Sequence, residues 1–117
     1  MVGTGALAPE LIAAHASVRP ICNVLIWGRN PDKTERLAKR LDRKNFRVAP
    51  TTDLEAAVRG ADIVSSATLA TEPLIHGAWL QPGQHLDLVG GRRLVLHLGA
   101  LCLDGGALGG CRDAARP

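Results

Sequence analysis

Near its start the chain reads Gly3-Thr4-Gly5-Ala6-Leu7-Ala8, a Gly-x-Gly-x-x-Ala spacing. Each fixed position has a physical task. The first glycine permits a tight strand-to-helix turn, the second lets a large anion approach the main chain, and the small last residue lets the helix pack on a strand. The anion such a turn takes is a diphosphate, held at a helix N-terminus where unpaired N–H groups and the helix dipole favour negative charge. An ordinary glycine turn has the same local sequence, so the motif gains its meaning from what surrounds it. A helical spacing follows at once, and a strand-like run follows the helix. The dinucleotide reading therefore sets Gly3, Thr4, Gly5, Ala6 and Leu7 against the diphosphate. Only Met1-Val2 precedes the glycines, so the first strand of such a unit is expected to be nearly absent.

Roughly 20 residues beyond such a loop, an NAD-binding domain carries Asp or Glu for the ribose 2′-hydroxyl. Here that place reads Trp27-Gly28-Arg29-Asn30 and offers no carboxylate. Arg29 has the charge and fork geometry for a 2′-phosphate, and Lys33 lies one helical turn further on. Gly28, Arg29, Asn30 and Lys33 form the expected adenosine end, with NADP as the expected cofactor and NAD as the alternative. Ser65-Ser66-Ala67-Thr68 and Gly90-Gly91 end two further strand-like runs at the edge where doubly wound sheets place ligands. Ala67, Thr68, Leu69, Val89 and Gly90 form the expected nicotinamide end.

No catalytic set stands out. His15 at a helix end, His76 in a loop and His85 at a strand start read as structural or solvated, and no Ser/His/Asp or Cys/His arrangement follows from spacing. Cys22, Cys102 and Cys111 form no CxxC pair and have no histidine at ligand spacing. No metal site is expected, and the cysteines read as free thiols.

The elements that must position these residues alternate strand and helix. Ala6 to about Ser17 has Leu7, Leu11 and Ala14 at helical spacing, with Pro9 in the first turn, where its missing N–H does no harm. Asn23 to Trp27 reads as a strand ended by Gly28. Asn30 then caps a helix with Pro31 first, whose apolar face is Thr34, Leu37, Ala38 and Leu41, with Asp32–Arg36 and Glu35–Lys39 as supporting pairs. Phe46 to Ala49 is a strand, and Thr52-Asp53-Leu54-Glu55 is a capping box for a helix that Gly60 ends. Asp62 to Thr68 and His85 to Val89 are strands, the second entered through a type II turn at Gln81-Pro82-Gly83-Gln84. Strands spaced by helices imply parallel βαβ units and a doubly wound α/β sheet, here incomplete. Residues 1–91 form the expected nucleotide-binding domain. From 92 to 117 the sequence has no clean period; a weak strand over Leu94 to Leu98 and a flexible Gly/Ala-rich end are the most it offers.

Composition narrows the class. The 117 residues suit one domain, and 46% hydrophobic content excludes disorder throughout. The longest apolar run, Leu94 to Leu103, is ten residues interrupted by His97 and Gly99, short of the roughly 18 a membrane helix needs. Met1 leads straight into the glycines with no charged segment of a secretory signal, so the expected setting is cytoplasmic. The net charge is +3, and Arg29 to Arg47 holds eight basic and three acidic residues. Aromatic content of 3% leaves no stacking platform, so that patch reads as a solvated helix face and not as a nucleic-acid site.

The wording of the chain resembles the ornithine cyclodeaminase/mu-crystallin family. The resemblance rests on Val2 to Pro9, Ala14-His15, Val18 to Ile21, Trp27-Gly28-Arg29, Gly60 to Val64, Ala67-Thr68-Leu69, Thr71 to Leu74 and Leu86 to Gly91. It covers residues 1–91, and around Thr68 to Pro73 and Leu86 to Gly91 it is most similar to the family's bacterial imine reductases. It implies a Rossmann-type domain and an NADPH-dependent ketimine reductase, acting on Δ1-pyrroline-2-carboxylate or Δ1-piperideine-2-carboxylate to give L-proline or L-pipecolate. The alternatives it implies are an NAD-dependent ornithine cyclodeaminase and a non-catalytic NADPH-binding protein of the mu-crystallin kind. In the family a substrate-binding, dimerising domain precedes the dinucleotide loop, and members are usually homodimers. The expectation is a fragment begun at an internal Met, inactive by itself and read in a shifted frame after Gly91. Arg92 stands where an aspartate often follows the two glycines.

Overall fold

The computed structural model describes residues 1–42, 45–70 and 73–89. The tail from 92 to 117, the weak strand expected over Leu94 to Leu98, and Gly90 lie outside the described residues.

Helix α1 (Leu7–Val18) is followed by β1 (Asn23–Ile26), α2 (Pro31–Leu41), β2 (Arg47–Pro50), α3 (Leu54–Gly60), β3 (Ile63–Ser66), a 3₁₀ turn at Gly77–Trp79 and β4 (His85–Leu88). All pairings are parallel: β1 with β2, from Asn23↔Arg47 to Ile26↔Pro50, and β3 with β4, from Ile63↔His85 to Ser66↔Leu88. The two pairs are joined through Val2, which bridges Trp27 on one side and Ser66 on the other. Trp27 N donates to Met1 O at 2.9 Å, Gly3 N to Trp27 O at 2.8 Å, Val2 N to Ser65 O at 2.8 Å and Ala67 N to Val2 O at 2.9 Å. The lateral order is therefore β2–β1–Val2–β3–β4. The expected incomplete sheet, with a first strand reduced to a stub, is what forms. The α-amine of Met1 donates to Leu25 O at 2.7 Å, and burial lowers its pKa to about 6.

Helices cover both faces. On one, Ala8 and Ile12 of α1 and Leu37 and Ala38 of α2 pack with Ile26 and Val48 of the β1–β2 pair. On the other, Val58 of α3 packs with Val2, Val64 and Ile75, flanked by Trp27, Leu86 and Leu88. The α1 face differs from the expected one. Leu7 is 49% exposed, whereas Ala8 is 1% and Ile12 7% exposed. The physical reason lies in the glycine motif, whose small last residue, Ala8, must lie against the strand and so sets the buried stripe one residue later. Helix α2 matches its expected face, with Asn30 Oδ1 accepting from the amides of Asp32 (3.0 Å) and Lys33 (3.2 Å). Lys39 pairs with Glu35 at 3.0 Å, but Arg36 reaches the main-chain oxygen of Asp32 rather than its carboxylate. Helix α3 begins one residue later than its capping box implies. Asp53, not Thr52, is the cap, accepting from Ala56 N at 3.0 Å, and Glu55 turns outward to Arg59. Cys22 is disulfide-bonded, against the free-thiol expectation.

The turn before β4 is the expected type, with Gly83 at φ +86° and Gln84 N donating to Gln81 O at 3.3 Å. Gln84 then acts as a staple. Its buried Nε2 donates to Val58 O at 2.7 Å and Ala61 O at 2.6 Å, and its Oε1 accepts from Gln81 N at 2.7 Å. Gln84→Ala strips all three partners at once and is expected to cost about 2–3 kcal/mol, because buried polar groups lose their bonds without regaining water. Urea unfolding checks this, and an unchanged midpoint would mean that the staple adds nothing.

Candidate functional site

Every parallel strand delivers its C-terminal end to one edge of the sheet, and the expected site residues gather there. Gly3 to Leu7 follow the Val2 stub, Gly28 to Lys33 follow β1, Ala67 to Leu69 follow β3, and Val89 follows β4. Gly90 lies outside the described residues. Main-chain bonds tie these groups together: Gly3 N donates to Trp27 O, Ala67 N to Val2 O, and Val89 N to Ser66 O at 2.8 Å.

The two motif glycines differ in what surrounds them. Gly3 has φ +116°, and a Cβ there would press into the carbonyl oxygen of Ala67. Gly5 has no such φ, and a Cβ there meets nothing within 4 Å. The first glycine is required by the fold, while the second faces open space where a ligand can come close to the main chain. Gly28 is hemmed in by Thr4 and by Thr34, a side chain buried at 2% exposure whose hydroxyl donates to Asn30 O. The loop after the stub thus rests directly on the end of β1.

At the start of α1, no side chain caps the helix, and the amides of Thr4, Gly5, Ala6 and Leu7 donate to no carbonyl among the described residues. These N–H groups and the helix dipole make an anion cradle. Arg29 and Lys33 are exposed and make no ion pair among the described residues. Asn30 is used differently from Arg29: its Oδ1 is taken up by the α2 cap. Thr68 Oγ1 accepts from Ala70 N at 3.2 Å, and Leu69 is 95% exposed.

Sequence reasoning missed one cluster. His15 Nε2 lies 3.3 Å from Asp87 Oδ2, and Ser65 Oγ donates to the same oxygen at 3.3 Å. The expectation that His15 is structural fits this contact. Its partner was legible only through the β3–β4 register, which places Ser65 beside Asp87. Among the described residues no group of histidine, cysteine and carboxylate can hold a metal ion.

A parallel sheet with helices on both faces and a Gly-x-Gly-x-x-Ala turn opening the first helix at its central edge defines a Rossmann-type fold. The particular family follows from comparison with known proteins. The chain belongs to the ornithine cyclodeaminase/mu-crystallin family, whose model matches residues 1–95, four residues beyond the expected limit of the resemblance. It is 46% identical over 91 residues to the Delta(1)-pyrroline-2-carboxylate reductase of Paracoccus denitrificans, a match covering 77% of this chain and 29% of that protein. It is 36% identical over 70 residues to the ketimine reductase mu-crystallin of Mus musculus, covering 60% of this chain and 21% of that one. Among solved structures, it superposes with a TM-score of 0.72 and 28% identity on the Thermococcus litoralis Delta(1)-pyrroline-2-carboxylate reductase in complex with NADH and L-proline. That match covers 77% of this chain and 28% of that one, so the chain spans less than a third of these relatives.

Proposed function

We propose that residues 1–91 are the dinucleotide-binding part of an NADPH-dependent ketimine reductase acting on a cyclic imine carboxylate such as Δ1-pyrroline-2-carboxylate. The observation that carries this reading is the cradle at α1: four adjacent amides with no carbonyl partner among the described residues, beside a glycine whose missing side chain leaves room for a diphosphate. The residues present fit the cofactor. Thr4 to Leu7 would hold the diphosphate, Arg29 and Lys33 the adenosine 2′-phosphate, and Ala67, Thr68, Leu69 and Val89 would border the nicotinamide end. When bound, the cofactor supplies the hydride that reduces an imine carbon. The chain's own contribution is binding and orientation, and groups that grip a substrate carboxylate are expected from outside residues 1–91. Little or no turnover is therefore expected from the 117 residues alone.

NADPH is favoured over NADH because the end of β1 carries Arg29 and no carboxylate. A guanidinium fork matches a phosphate with two parallel bonds, whereas a ribose hydroxyl calls for an acceptor. Thermal melting of the chain with each dinucleotide tests this. NADPH is expected to raise the midpoint, NADH to raise it less, and Arg29→Ala to weaken NADPH about tenfold or more, the worth of one charge-assisted contact. Equal shifts for the two dinucleotides would defeat the NADPH preference, and no shift with either would defeat the reading.

A further inference from the structure

The two halves of the sheet carry different ends of the proposed site. The β1–β2 pair carries Gly28, Arg29 and Lys33, and the β3–β4 pair carries Ala67, Thr68, Leu69 and Val89. Within the sheet they are joined only through the Met1–Gly3 stub among the described residues. Helix α1 lies over that seam and grips its two sides by different chemistry. Toward β1–β2 the grip is apolar, through Ala8 and Ile12. Toward β3–β4 it is polar. His15 on the last turn of α1 meets Asp87 of β4 at 3.3 Å, and Ser65 of β3 donates to the same carboxylate oxygen. The His85 ring stands edge-on to His15, its centroid 6.0 Å away. The two Lys/Arg ion pairs among the described residues, Lys39–Glu35 and Arg59–Glu55, are i,i+4 pairs within one helix, so the His15–Asp87 contact is the one that ties distant elements.

We propose that Asp87 and His15 are positioning residues for the dinucleotide site, setting the nicotinamide-end loops after β3 and β4 at a fixed distance from the diphosphate cradle on α1. This rests on the dinucleotide reading and adds a division of labour to it. The adenosine half and the diphosphate are held by α1 and the β1–β2 pair, and so do not depend on the tie. The nicotinamide half is held by loops whose placement against α1 does depend on it.

The test compares the full dinucleotide with its adenosine half, NADPH with 2′,5′-ADP (or NADH with ADP if the wild type prefers NADH), by calorimetric titration of the full chain. His15→Leu keeps the bulk and loses the donor. It is expected to weaken NADPH about tenfold and to leave 2′,5′-ADP within about twofold, the loss of one hydrogen bond to a charged group being felt only at the far half. Asp87→Ala is expected to do the same. His15→Gln restores an N–H donor and is expected to recover most of the NADPH affinity. Unchanged 2′,5′-ADP binding certifies in the same experiment that each variant is folded. Parallel losses for both ligands would reduce the cluster to a general structural contact and overturn the proposal. So would unchanged NADPH binding in His15→Leu and Asp87→Ala. A wild type that binds 2′,5′-ADP as tightly as NADPH overturns the proposal while leaving the cradle intact. A wild type that binds neither defeats the dinucleotide reading itself, and the positioning role with it.

Discussion

Gly3→Ala is expected to abolish the cooperative thermal transition of this chain. The position has φ +116°, a region open to glycine and closed to residues with a Cβ, which costs on the order of 1–3 kcal/mol by itself. A second cost comes from contact. The new methyl would meet the Ala67 carbonyl oxygen inside the 3.0 Å that real Cβ atoms keep, and that neighbour is main chain, not the flexible end of a side chain. Relief requires Gly3 and Ala67 to separate, yet Ala67 N is bonded to Val2 O and Gly3 N to Trp27 O, the bonds that join the two strand pairs. Strain and lost pairing together come to about 3–5 kcal/mol, a large part of the 5–15 kcal/mol that holds an ordinary domain folded. Circular dichroism during heating checks it. A cooperative melt within a few degrees of wild type would show that the stub can shift freely and that the sheet does not depend on it.

What the sequence made legible was whatever local chemistry dictates. Asn30-Pro31 set the start of α2, Gly83 set the turn into β4, and the Thr34/Leu37/Ala38 stripe set the buried face of α2, because each is decided within one or two turns of chain. The parallel, two-faced architecture followed from the alternation of short strands with helices. The misreadings also have local causes. Helix α1 has apolar residues nearly all round, Leu7, Ala8, Leu11, Ile12 and Ala14, so periodicity alone could not choose its buried stripe, and the packing demand at Ala8 did. At α3 two acceptors, Thr52 and Asp53, stand side by side, and the aspartate took the cap. For the proposed site, the positions of the cradle, Gly28 and Arg29 at the sheet edge were readable, the first from the glycine motif and the others from their distance beyond it. The Ser65–Asp87–His15 cluster was not, since it needs the pairing of β3 with β4 and the pitch of α1 over the seam, contacts 22 and 72 residues apart in the chain.

Gly5→Val should give the opposite result to Gly3→Ala: a chain that melts as the wild type does and no longer responds to the dinucleotide. Gly5 has an ordinary backbone conformation, is exposed, and a Cβ there meets nothing within 4 Å, so the folded state has no objection to a side chain. Replacing glycine also removes freedom from the unfolded chain, so the midpoint without ligand should hold or rise by the equivalent of about 0.4–1 kcal/mol for Gly5→Ala. Under the proposed reading this open space is where the ligand approaches the main chain. The isopropyl group of valine would stand where a diphosphate must come within hydrogen-bonding distance of the Thr4 to Leu7 amides. Losing those bonds while still desolvating the phosphate is expected to weaken NADPH by about 100-fold, with alanine intermediate. Thermal melts with and without NADPH read both effects in one set of samples. A Gly5→Val chain that still gains stability from NADPH as the wild type does would place the phosphate elsewhere. The motif would then serve only the strand-to-helix turn, a role in which Gly3 and Ala8 are needed and Gly5 is not.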